Sequence, residues 1–267
     1  MKPILIIDGD VLAYNSCPPR WESKASKQGD KYIRELDIDG NNKVLEYTKE
    51  EDAQYLQICW NNFKSNYQKL MDKFFAIESL MAVAKGPHFR DRIYSDYKGH
   101  RKKNQLQSFV TEVRKLAVYE GYAVFAEDRE ADDYIRTWAE ECRRANKRFI
   151  ICSIDKDLKC IPGTHYKLND KPTIEISEKE AMNFYYRQLL MGDPTDKIPG
   201  LPGVGPVKAK KYLEDCKTEE DYRQEILGCY KATYGEEWKD YLLSNGKLIH
   251  IQSHLNDYFT LKGWPII

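Results

Sequence analysis

Apolar positions along the chain alternate between short unbroken runs and longer stretches in which they recur every three or four residues. Residues 2–8, around ILII, together with SLMAVA (79–84), YAVFAE (122–127) and RFIICSID (148–155), are runs of the first kind. A strand buried on both faces of a parallel sheet has no polar side, and its sequence reads this way. In 49–75, Tyr55, Ile58, Cys59, Phe63, Tyr67, Leu70 and Phe74 keep helical spacing, and 105–119 and 130–146 also read as helices. After the fourth run the character changes. TIEIS (173–177) is a short strand, and SEKEAMNFYYRQLLMG (177–192) is a helix that Ser177 and Glu180 open as a capping box. Residues 206–214 form a lysine-rich helix, 218–245 are helical, and the apolar, aromatic tail is expected to dock. The pattern predicts an α/β body over 1–176, with a central, mostly parallel sheet flanked by helices, and a helical lobe over 177–267. Segment 17–48 is polar and broken by turn residues, and reads as an insertion with a hairpin of IRELDI and KVLEY around DGNN.

Charge changes the picture only when it is mapped. The 42 basic and 42 acidic residues cancel, which taken alone argues against a nucleic-acid partner. Yet 85–103 hold seven cations (Lys85, Arg90, Arg92, Lys98, Arg101, Lys102, Lys103) against Asp91 and Asp96, and 197–211 hold four lysines and no acid. Basic surface is local, and an acidic centre masks it in the sum. No run approaches a membrane span of roughly 20 apolar residues, and MKPILIIDGD meets acids too early for a signal peptide. Seven cysteines without a CxxC pair predict reduced thiols and a cytoplasmic protein.

The acids themselves are clustered. Asp8 ends the first apolar run; Glu130, Asp132 and Asp133 open a helix; Asp155 and Asp157 follow the fourth run; Asp193 and Asp196 lie in GDPTD. Strand ends place the first and third clusters at the carboxyl edge of an open sheet, the usual ligand crevice. So many carboxylates would repel one another without cations, and hard divalent ions suit all-oxygen ligands. The pattern therefore predicts a metal-dependent phosphoryl-transfer site. Asp155 is expected at the strand terminus, with Asp157 looking the same way if extended. Asp10 reads equally as a second ligand or as a helix cap.

Residues 191–214 form a second motif. A glycine-rich turn (Gly203, Gly205) between two helices matches a helix–hairpin–helix grip on phosphates, with Lys208, Lys210 and Lys211 adding charge. YSDYKGHRKK (94–103) interleaves rings and cations as single-strand binding surfaces do. His250 and His254, four apart without a third ligand nearby, read as an ordinary helix face, and Cys152 as a small core residue.

From Ile4 to about Leu213 the chain resembles the 5′-nuclease family: flap endonucleases, the 5′-nuclease domains of bacterial DNA polymerases, and phage replication exonucleases. The resemblance is carried in order by Asp8, by Phe89, Arg90, Tyr97, Lys98, Gly99 and Arg101, by E-A-D-D, by S-x-D-x-D, and by G-D-x-x-D with its G-x-x-G-x-G hairpin. It implies a PIN-like 5′-nuclease fold, an arch over the active site (within 86–119) and a helix–three-turn–helix. It implies two Mg²⁺ ions, with Mn²⁺ able to substitute, hydrolysing phosphodiesters near DNA 5′ ends. One ion would be held by Asp8, Glu130 and Asp132, with Asp133 near; the other would lie toward Asp157, Asp193 and Asp196, with Asp155 between. Lys98 would meet the scissile phosphate, with Arg101 as its partner and Tyr97 as a stacking surface. Arg90, Lys102 and Lys103 would join the DNA contacts, and the hairpin would hold duplex, with K⁺ bound by its carbonyls. The expected substrates are 5′ flaps, nicked duplex and RNA–DNA hybrid, handled by a monomer in DNA replication.

One departure stands out. The family carries an acid at the end of strand two, where this chain has Val83 or Lys85, depending on register. That loss favours one alternative, a DNA-structure-binding protein of the same fold with impaired cleavage. A PIN-like ribonuclease is a second alternative, with no reason to carry GLPGVGP.

Overall fold

A computed structural model describes residues 2–18, 49–98, 109–168 and 171–266. The predicted hairpin in 17–48, and with it Arg101, Lys102 and Lys103, lies outside the described residues. The strands are β1 (Ile4–Asp8), β2 (Glu78–Ala84), β3 (Val124–Ala126), β4 (Phe149–Cys152), β5 (Gly163–Tyr166) and β6 (Ile174–Ile176). The helices are α1 (Gly9–Ser16), α2 (Lys49–Lys73), α3 (Phe89–Ile93), α4 (Val110–Tyr119), α5 (Ala131–Arg144), α6 (Glu178–Met191), α7 (Pro206–Tyr212), α8 (Glu219–Tyr234) and α9 (Trp238–Ile249).

The strands form one sheet in the order β3-β2-β1-β4-β5-β6, parallel throughout except for β6. Chain order reverses between β1 and β4, the switch point where a crevice opens at the carboxyl ends of the strands. The unbroken apolar run of β1 has the expected cause, because both faces are covered. Leu5 and Ile7 pack with Cys59, Phe63 and Val113 on one side, while Ile4 and Ile6 pack with Ile135, Ala139 and Leu158 on the other. A third core, built on Tyr186, Leu189, Leu201, Ala209, Tyr222 and Leu242, lies within the helices that follow β6.

Two local expectations are corrected, and two elements were not foreseen. β4 stops at Cys152, so Asp155 stands in the loop beyond the strand, and Asp157 opens a short 3-10 helix instead of continuing extended. The turn is stitched by side chains: Ser153 Oγ accepts the Asp155 N–H at 3.0 Å, and Asp155 Oδ1 accepts the Asp157 N–H at 2.8 Å. β5 was not foreseen, since GTHY carries no apolar run. α3 is too short at five residues to show a period. Finally, α9 ends at Ile249, so His250 and His254 share no helix face; His250 instead lies 3.1 Å from Asp257.

The tail does dock, and a buried ion pair fixes it. Arg90 of α3 is 1 % exposed and Asp133 of α5 is 0 % exposed. Two guanidinium nitrogens donate to the two Asp133 oxygens at 2.7 and 2.8 Å. Arg90 also donates to the carbonyls of Leu248 and His250, and Asp133 accepts the Gln252 N–H at 2.8 Å. These last three contacts join the body to the end of α9 and the segment that follows it. Arg90 is thus a buried clamp rather than a DNA contact. Asp133 is its counter-charge rather than a neighbour of a metal, because the helix turn that puts Asp132 on the cleft side turns Asp133 inward.

Removing one partner of such a pair strands the other charge in the interior, at a cost of about 3–5 kcal/mol. Arg90→Ala should lower stability in urea unfolding by that order, whereas a loss under about 1 kcal/mol would show that the clamp does not hold the tail.

Candidate active site

The site gathers at the switch point. Asp8 ends β1 and caps α1, its Oδ1 accepting the N–H groups of Asp10 and Val11 at 3.1 Å. Its other oxygen accepts from Ser153 Oγ at 2.7 Å, which ties the end of β1 to the end of β4. Glu130 and Asp132 come from the start of α5, where the positive end of the helix suits acids. Asp155 and Asp157 come from the turn after β4. Asp193 and Asp196 come from a tight turn after α6, closed by the bridge between Asp193 and Ile198. That turn depends on two glycines with φ of +67° and +60°: a Cβ on Gly192 would sit 2.1 Å from the Ile198 carbonyl oxygen, and one on Gly200 would sit 2.2 Å from the Gly192 nitrogen. Glu130, Asp132, Asp155, Asp157, Asp193 and Asp196 line one cleft together with Lys98.

The electrostatics divide these acids into two sets. Burial alone would raise Glu130, but the hydrogen bond with His88 and the charges of Arg90 and Lys98 hold it well below the usual carboxylate range. Asp193, against its own burial, is lowered by Lys156, which donates to it at 2.8 Å. For Asp8, Asp132 and Asp157 burial and neighbouring acids win. Burial and then Asp10 push Asp8 up to about 6. Burial, Asp155 and Asp193 push Asp157 up to about 7, and burial, Asp155 and Asp8 raise Asp132 well above its ordinary value.

Lys98 sits among the acids, paired with Glu130 and 3.6 Å from Asp196. Burial works against its charge, but Glu130 and Asp196 outweigh it and raise the ammonium above its ordinary value. Tyr97 departs from the expectation of a stacking surface. It is 6 % exposed, packs with the helical core, and donates its hydroxyl to Glu130 at 3.0 Å. Its aromatic neighbours in the sequence suggested an exposed ring, but the turn after α3 faces the lobe.

At the hairpin, Gly203 has φ +68°, with the Lys208 ammonium 3.9 Å from where a Cβ would stand, and Gly205 caps α7 with nothing near where a Cβ would stand. Lys208, Lys210 and Lys211 are exposed on either side of the inward-facing Ala209, and none has a carboxylate partner among the described residues. Residues the sequence reading missed are Ser153, His88, Lys156 and Gln188, each donating to or facing a cleft acid. Only Ser153 had a signal, its place in S-x-D-x-D.

Among the described residues no group of three or more His, Cys, Asp or Glu side chains is arranged to hold a metal ion. Glu130 and Asp193 are instead turned onto lysines. The donor set is nevertheless all carboxylate, and three of its members carry charge that the protein leaves uncompensated. That chemistry fits a hard divalent cation.

Residues 3–186 match the family described as 5′-3′ exonuclease, N-terminal resolvase-like domain. A 5′-3′ exonuclease of Mycoplasma genitalium is 27 % identical, over 82 % of this chain and 74 % of its own. A flap endonuclease, Xni, of Shewanella halifaxensis is 31 % identical, over 67 % of this chain and 76 % of its own. A bacteriophage T5 protein co-crystallized with metal ions shares the fold at a TM-score of 0.63 and 14 % identity, over 94 % of this chain and 89 % of its own. The T5 flap endonuclease in a pseudo-enzyme-product complex with DNA and metal ions does so at 0.55 and 12 %, over 92 % and 99 %. With the family pattern reaching from β1 into α6 and so covering the acids from Asp8 to Asp157, this chain belongs to the 5′-3′ exonuclease family, the 5′-nucleases.

Proposed function

We propose that the protein is a Mg²⁺-dependent 5′→3′ exonuclease with structure-specific endonuclease activity on 5′ flaps and nicks, acting in DNA replication and removing RNA primers as well. The observation that carries this reading is the cleft in which Glu130, Asp132, Asp155, Asp157, Asp193 and Asp196 crowd beside Lys98, in a chain of the 5′-3′ exonuclease family. Asp8, Glu130 and Asp132 would hold one ion; Asp157, Asp193 and Asp196 would hold the second, with Asp155 between them. Bound there, divalent ions would supply an activated water and charge at the leaving oxygen.

The chain's own residues do the rest. Ser153 and the α1 N–H groups fix the Asp8 carboxylate, so that its position does not depend on the ion. Lys98 would exchange Glu130 for the scissile phosphate once cations neutralise the acids, bringing an ammonium to the oxygens where charge develops. The hairpin lysines, without carboxylate partners among the described residues, would follow a duplex backbone, and Gly203 would let the chain approach it closely. Two links hold this grip at a fixed distance from the cleft: the Lys98 N–H donates to the Asp196 carbonyl at 3.2 Å, and Lys197 pairs with Asp96 at 2.9 Å.

Single-turnover cleavage of a 5′-flap substrate with and without Mg²⁺ tests the chemistry. Asp155→Asn should abolish Mg²⁺-dependent cleavage while DNA affinity stays or rises, since a negative charge near phosphate is removed. Lys98→Ala should cut the saturated rate on the order of 100-fold, the worth of one donor at developing charge, with only a modest loss of affinity. An Asp155→Asn enzyme that cleaves at the parent rate would remove the acids from the chemistry.

Sequence-blind binding to phosphates should weaken with salt. Replacing Lys208 and Lys211 by Ala should flatten the slope of log K against log salt by about 1–2, at about 0.9 per phosphate contact. An unchanged slope would take the hairpin out of the interface.

A further inference from the structure

β2 ends at Ala84 without an acid: Val83 is fully buried in the core, and Lys85 turns away to Glu127 at 2.6 Å. A carboxylate is nonetheless delivered to that strand end by another part of the chain. Asp10, in the first turn of α1, accepts the Ala84 N–H on Oδ1 at 3.0 Å across 74 residues of sequence. Arg114 Nε of α4 lies 2.8 Å from the same oxygen. Gly9 makes this reach possible. A Cβ there would stand 2.6 Å from the Ala82 carbonyl oxygen, so the start of α1 is pressed directly onto β2. The triplet Asp8-Gly9-Asp10 therefore places one acid at the end of β1 and a second at the end of β2.

Only one oxygen of Asp10 is committed. Among the described residues no hydrogen bond is made to Oδ2. A residue that merely capped α1 would spend its side chain on its own helix, but Asp8 already does this, and Asp10 is aimed at the neighbouring strand.

We propose that Asp10 is a metal-facing carboxylate of this site, standing at the end of β2 where the strand itself provides no acid. With Oδ1 held by Ala84 and Arg114, Oδ2 orients water on a hard divalent cation rather than displacing it. The proposal rests on the metal-site reading above and explains how the site is completed without an acid at residues 83–85. The competing explanation is purely structural: Asp10 would exist to hold Arg114.

Binding of Mn²⁺ to the full chain without DNA, followed by electron paramagnetic resonance, separates these cases. Asp10→Asn keeps an acceptor for the Ala84 N–H, so the melting temperature should hold while Mn²⁺ affinity falls about 10-fold or more, as is typical when an outer partner of a metal site is lost. Arg114→Gln should leave affinity unchanged or raise it, because a cation is removed. Moving the acid to the strand, Asp10→Ser with Ala84→Asp, should recover the parent affinity, and this exchange answers the question even if Asp10→Asn fails to fold. Asp155→Asn serves as the control for the site. If Asp155→Asn loses Mn²⁺ and Asp10→Asn does not, Asp10 is not part of the site. If Arg114→Gln loses as much as Asp10→Asn, Asp10 acts only through Arg114. If the parent chain and all variants bind alike, the metal-site reading itself fails, and Asp10 falls with it.

Discussion

Like charges crowded into a partly dry crevice constrain everything else in this molecule. The switch point between β1 and β4 collects acids from four separate segments, and the protein neutralises only some of them. Glu130 is held down by His88, Arg90 and Lys98, and Asp193 by Lys156. Asp8, Asp132 and Asp157 are left raised by burial and by neighbouring acids, Asp10, Asp155 and Asp193 among them. A fold selected for stability alone would not assemble such a set, since each raised carboxylate is a loss of folding free energy at neutral pH. The surrounding structure forces the assembly. The Arg90–Asp133 clamp draws the tail against α5, the Gly192–Gly200 contact closes the Asp193 turn, and Ser153 ties β4 to β1.

On the proposed reading, the same scaffold couples chemistry to substrate grip. Asp193 and Asp196 lie in the turn that leaves α6, and the hairpin glycines and lysines follow within a few residues. Tyr97 packs with the helical core while its hydroxyl reaches Glu130 in the cleft. A duplex held at Lys208 and Lys211 would therefore meet the acids at a spacing set by packed elements, which is how a nuclease without base contacts would measure distance from a 5′ end.

Much of this was legible in the sequence, for physical reasons. Strands buried on both faces must be apolar throughout, so β1, β2 and β4 announced themselves, and acids at the ends of such runs pointed to the crevice. The capping box at Ser177 marked the start of α6 to the residue. What remained hidden depended on direction rather than composition. Arg90 and Tyr97 have the residue types of a DNA surface, but the short helix α3 and the turn after it point them inward. Asp133 differs from Asp132 by one position on a helix, enough to exchange the cleft for the interior. Asp10 could be read as ligand or cap, and only the pressing of Gly9 onto β2 shows that it reaches another strand.

The claim that uncompensated acids await divalent cations is tested most directly by thermal unfolding in Ca²⁺ against NaCl of matched ionic strength. Carboxylates raised in the folded state favour protonation there, so the metal-free protein loses stability as pH climbs from about 4 through the folded values of about 6 for Asp8 and about 7 for Asp157. Ca²⁺ should therefore raise the melting temperature at pH 8 and do much less at pH 5, where protons already neutralise these groups. Equal melting temperatures in the two salts at pH 8 would contradict the account.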